Sequence, residues 1–161
     1  PILTSSRQAV NFFGAFSSRA DLAVMTYLRQ NSPQDSLILN YPSGFEGHWV
    51  TTIAERETVE FRDQPFFHLA DSYYERMAQA EQAYFDLSQP AARVFVQAQG
   101  IDYVIIPQIV NQPERFNDMR GSIRWRWPQD TWRALDYDPA SIDWLEQVFE
   151  QDGAQVYRVL P

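Results

Sequence analysis

Cysteine and lysine are both missing from this 161-residue chain. Without cysteine there is no disulfide, no thiolate nucleophile and no cysteine zinc site, and the redox compartment stays open. Without lysine there is no Schiff base and no P-loop lysine. All 13 basic residues are arginine, a bias that a GC-rich genome is enough to explain. No stretch reaches the ~18 apolar residues that a membrane-crossing helix needs. Positive charge is scarce too: 13 basic against 21 acidic residues leave a net charge of −8. Broad nucleic-acid binding needs a basic surface that displaces counterions, so nucleic acid is not an expected partner.

Several motifs are also wanting. Neither G-x-G-x-x-G nor G-x-x-x-x-G-K-[ST] occurs, so the familiar phosphate-cradling loops are absent. G-x-S-x-G and H-E-x-x-H are absent as well. The only histidines, His48 and His68, have no recognisable metal-ligand spacing, and neither a metal nor a cofactor is expected. What remains is a globular composition, 45% hydrophobic and 21% charged, in a chain long enough to form one domain with a real core. The chain opens on proline with no signal peptide, which reads as part of a longer or processed protein.

Residues 1–17 read as an ordered lead-in. Ser18 and Asp21 form a capping-box start for a helix, with Leu22, Met25 and Leu28 on one face and Asn31-Ser32-Pro33 at its end. "SLILN" (36–40) is continuously apolar, as strands inside parallel sheets are. "YPSGFEG" (41–47) is a loop, "HWVTTIAE" a short helix and "ETVEFR" (57–62) a strand. "HLADSYYERMAQAEQAYFDL" is rich in helix formers, with Leu69, Tyr73, Met77, Ala80 and Tyr84 at helical spacing. Ser88 and Pro90 open a further helix that Gly100 stops. "IDYVIIP" is the second core strand, expected to join 36–40 in one sheet through right-handed crossovers. Residues 107–139 form a long irregular insertion with a short helix at "PASIDWL". Asp152-Gly153 between two β-prone runs calls for a type I′ hairpin. The expected fold is therefore a single α/β domain over 1–161. Its mixed β-sheet has flanking helices in a Rossmann-like two- or three-layer sandwich and ends in a β-hairpin.

Two stretches concentrate chemistry. The first, "EGHWVTTIAERETVEFRDQPFF" (46–67), gathers Glu46, His48, Trp49, Glu55, Arg56, Arg62 and Asp63. Glu46-Gly47-His48 follows the first core strand, and ligands of open α/β sheets bind beyond the strands' carboxyl ends. One reading is an aromatic-walled polar groove for a sugar or headgroup, with His48 as base oriented by Glu46 or Glu55. The other is a loop-ordering histidine and a solvated strand edge with exposed ion pairs. The second stretch, 119–133, interleaves Arg120, Arg124, Arg126 and Arg133 with Trp125, Trp127 and Trp132. Such a mixture suits an anionic lipid surface or a glycan, and equally suits a loop anchored by its own tryptophans.

Taken together, "AVMTYLRQNSPQDSLILN", the Gly/Trp loop, "IAERETVEFRDQPFF", "GIDYVIIP" and "VFEQDGAQVYRV" resemble the soluble carboxy-terminal domain of polytopic bacterial membrane proteins related to the GT-C glycosyltransferases. The resemblance spans residues 20–160 and rests on structural landmarks rather than catalytic signatures. It implies an extracytoplasmic domain at the cell membrane, partnered by the transmembrane region of its parent protein and by a polyprenyl-linked glycan or anionic lipid surface. In that family the catalytic carboxylates lie on loops between membrane helices and the donor is a polyprenyl-phosphate sugar. No catalytic residue is therefore expected on this chain. Under this reading Glu46, His48, Trp49, Glu55, Arg56, Arg62 and Asp63 are ligand contacts, and Arg124, Trp125, Arg126 and Trp127 face the membrane or a glycan. The rival readings are a stand-alone carbohydrate-binding protein or hydrolase working in the 46–63 cleft, and a structural assembly module.

Overall fold

Helix α1, Arg19–Asn31, begins as the Ser18/Asp21 spacing requires. In the computed structural model, which describes residues 18–42, 50–59, 71–113 and 134–161, the Ser18 hydroxyl accepts the Asp21 N–H at 3.1 Å. In return the Asp21 carboxylate accepts the Ser18 N–H at 2.7 Å. Two donors that the helix start would otherwise leave open are satisfied reciprocally. The buried stripe is Ala20, Val24, Met25 and Leu28, the i, i+4, i+5, i+8 face of one helix. Leu22, expected on that face, is 41% exposed. It lies about 160° from Val24 in projection, so a stripe centred on Val24 and Leu28 leaves it outside.

The sheet has five strands: β1 Leu37–Leu39, β2 Glu57–Thr58, β3 Tyr103–Ile106, β4 Leu145–Gln151 and β5 Ala154–Val159, in the spatial order β2-β1-β3-β5-β4. β1 runs parallel to both β2 and β3, with Ile38 opposite Thr58 on one side and Tyr103 on the other. β3–β5 and β5–β4 are antiparallel. This is the expected mixed sheet, and the two core strands are direct neighbours. Every residue of β1 and β3 is buried, which explains why both read as unbroken apolar runs: a strand covered on two faces has no polar side.

Strand alternation divides the core in two. Ile38, Tyr103, Ile105, Ala154 and Val156 point to α1 and to a π-helical turn at Val50–Ala54. Leu37, Leu39, Val104, Ile106 and Tyr157 point to the opposite face. There, α2 (Asp71–Phe85) and α3 (Pro90–Gln99) supply Ala80, Tyr84, Phe85 and Val96. The result is a three-layer sandwich. A β-bulge between Gln147 and Phe149 breaks the alternation of β4. The extra residue turns Phe149 to the α1 side, where its ring stacks on Tyr27 with centroids 4.5 Å apart.

Local punctuation matches the sequence with small shifts. α3 starts at Pro90 with Gln89, not Ser88, as its cap, and ends at Gly100 with φ +68°. Asp152 (φ +50°) and Gly153 (φ +87°) carry the paired positive φ angles of the expected type I′ turn. The "HWVTTIAE" helix is the π-helical turn. Of "ETVEFR", residues 57–58 form the strand, while 60–62 lie outside the described residues. The long insertion is not wholly irregular, for Gln108–Asn111 makes a short helix, α4, directly after β3. The helix expected at "PASIDWL" is a 3-10 turn, Pro139–Ser141, capped by the Asp138 carboxylate.

Candidate functional site

The three parallel strands define two edges. β1 and β2 pair first residue to first residue, Leu37 with Glu57, so both enter from the same side, the amino edge. α1 runs the opposite way. Its first turn reaches the residue after Pro107, beyond the carboxyl end of β3, and its last turn meets Arg56, just before β2. This orientation decides where the chemistry-bearing residues of 46–63 fall.

Glu55 and Arg56 lie at the amino edge. Arg56 is buried, at 8% exposure, and its guanidinium faces carbonyl and hydroxyl oxygens rather than a cavity. Nε donates to Ser32 Oγ at 2.9 Å. Nη1 donates to the Ala54 and Glu55 carbonyls at 3.2 and 3.0 Å. Nη2 donates to the Arg29 and Ser32 carbonyls at 3.0 and 2.7 Å. An arginine has five N–H donors in a planar fork, and all five are engaged. The acceptors are the carboxyl-terminal carbonyls of α1 and the end of the π-helical turn, where backbone oxygens lack helical partners and the helix dipole favours a cation. Expected as a ligand contact, Arg56 instead joins α1, the π-helical turn and the start of β2, and has no donor left for a ligand.

Glu55 is exposed and takes a left-handed backbone conformation, φ +54°. Its carboxylate meets the Arg29 guanidinium at 2.6 Å, with both side chains about half exposed. Its own carbonyl is held by Arg56, which over-determines a backbone shape that a non-glycine residue seldom adopts. An ion pair this open contributes little.

Glu46, His48, Trp49, Arg62 and Asp63 lie outside the described residues, as do Arg124, Trp125, Arg126 and Trp127. Of the seven expected ligand contacts, Glu55 and Arg56 sit at the amino edge, and the other five lie outside the described residues. A three-residue strand at ~3.3 Å per residue separates the edges by about 10 Å.

The carboxyl edge holds a polar assembly that the sequence did not announce. Asp21 is 1% exposed. Besides capping its own helix it accepts the Gln108 N–H at 2.8 Å, so one carboxylate caps the starts of both α1 and α4. Pro107, the residue that precedes α4, has no side-chain cap to offer. Burial pushes the Asp21 carboxyl above its ordinary value of 3.8, against the lowering influence of the Gln108 and Ser18 hydrogen bonds. Gln108 then donates through Nε2 to the Asp152 carbonyl at 2.7 Å, and Asn111 Nδ2 donates to the Gly153 carbonyl at 2.7 Å and to Gln155 Oε1 at 3.0 Å. α4 is thereby gripped between the start of α1 and the hairpin turn. The sequence signal for half of this was present, since Asp21 stands at the capping-box position. Its reach across 87 residues to Gln108 was not legible.

The opposite face carries three phenols, two of them linked. Tyr84 donates to the Ile105 carbonyl at 2.8 Å, and Tyr137 donates to the Tyr84 carbonyl at 2.5 Å. Tyr157 donates to Gln155 Oε1 at 3.1 Å. Burial, reinforced by Asp138 and Glu150, pushes the Tyr157 hydroxyl up to about 12. Burial, with Asp86 beside it, raises Tyr137 too. The Tyr137 and Tyr157 hydroxyls stay protonated near neutrality, which suits hydrogen-bond donors and not bases or nucleophiles. Beyond them, α2 and α3 flank an open groove of about 510 Å³ lined by Gln79, Gln82, Ala83, Asp86, Val94 and Phe95 among others. Val94 is 66% exposed there. Among the described residues no group of three His, Asp or Glu side chains is placed to hold a metal ion, and no helix is long and apolar enough to cross a membrane.

No family model and no curated protein matches the sequence. The fold has a counterpart among solved structures in the crystal structure of the C-terminal globular domain of an oligosaccharyltransferase from Archaeoglobus fulgidus. The two share 13% sequence identity and superpose with a TM-score of 0.52, over 86% of this chain and 96% of that one. At this identity the likeness is one of fold.

Proposed function

We propose that this chain is a non-catalytic domain of a larger, membrane-bound glycosyltransferase-like protein, exposed on the extracytoplasmic side, where it packs on the membrane region and helps recognise a glycan or lipid-carrier acceptor. The observation that carries the proposal is the correspondence of nearly the whole fold with the C-terminal globular domain of an oligosaccharyltransferase. The arrangement of the described residues supports it. Three of their buried polar side chains, Asp21, Arg56 and Gln108, are spent on joining elements.

Under this reading the acceptor meets Glu46, His48, Trp49, Arg62 and Asp63, while Arg124, Trp125, Arg126 and Trp127 face the membrane side. The hydrolase reading of the 46–63 cleft is weaker, because all five Arg56 donors are engaged within the fold. The test is kinetic. In the full-length protein with a polyprenyl-linked sugar donor, His48→Ala and Trp49→Ala should raise the acceptor KM and leave kcat unchanged. A fall in kcat at unchanged KM would place chemistry on this domain and overturn the proposal.

A further inference from the structure

We draw no further inference here: the strongest candidate, the apolar groove between α2 and α3 around Val94 and Phe95, lies on an unpartnered helix face, and nothing in the structure shows what covers it.

Discussion

Arg56 and Asp21 are the two buried charges whose surroundings say most about this protein, and they are solved differently. Among the described residues Arg56 has no carboxylate partner, only carbonyl and hydroxyl oxygens, and is held because five acceptors match five donors. Replacing it with methionine leaves the Arg29, Ser32, Ala54 and Glu55 carbonyls without that donor set and should cost about 3 kcal/mol in urea unfolding. Lysine keeps the charge but has a single nitrogen that cannot span both chain ends, so Arg56→Lys should recover less than half of the loss. Full recovery by lysine would mean that charge alone matters there. For Asp21 the sign follows from the raised carboxyl. The folded chain holds the proton more tightly than the unfolded chain, so the Asp21 contribution is complete below pH 3.8 and is lost as pH rises through the raised folded value. The stability of the wild type relative to Asp21→Asn should therefore fall as pH rises across that window. A wild type that gains stability relative to the variant as pH rises would show that the hydrogen bonds from Ser18 and Gln108 outweigh burial.

At the scale of elements, the two punctuating glycines offer a comparison. Both have positive φ, but a Cβ on Gly100 would meet nothing within 4 Å, whereas one on Gly153 would lie 2.6 Å from the Gln112 side chain. Gly100→Ala should cost about 1 kcal/mol, from backbone strain alone. Gly153→Ala should cost more, and Gln112→Ala should restore the excess in a double-mutant cycle. Additive effects of the pair would refute the steric part. The same elements show what the sequence could disclose. The capping box, the apolar runs of β1 and β3, and Asp152-Gly153 are local signals, set by a few neighbouring residues, and they were legible. The bulge that turns Phe149 toward Tyr27 was not, because it depends on register against β5. Nor was the real role of Arg56, since "AERETVEFRD" looks like a solvated charge run until α1 is laid beside it. Leu22 misled for a related reason: an apolar residue one position off the stripe fits the pattern by eye and not by angle.

For the whole molecule, the parallel strands determine what is presented and where. β1 and β2 end on the same side of the sheet, the carboxyl edge, where open α/β sheets receive ligands. The arginine–tryptophan stretch gives a separate expectation about the membrane side. Arg124→Glu with Arg126→Glu should weaken cosedimentation with vesicles containing anionic phospholipid by at least about tenfold, since each basic residue near such a surface contributes roughly 1 kcal/mol. Undiminished binding would remove that stretch from the membrane-facing surface.

The most direct measurement concerns where the domain resides. In intact cells that express the full-length protein, this domain should be cut by protease added to spheroplasts from outside, and the protein should stay in the membrane pellet after alkaline carbonate extraction. Release into the carbonate supernatant, or protection of the domain until the cells are lysed, would contradict an extracytoplasmic domain of a membrane-bound glycosyltransferase-like protein.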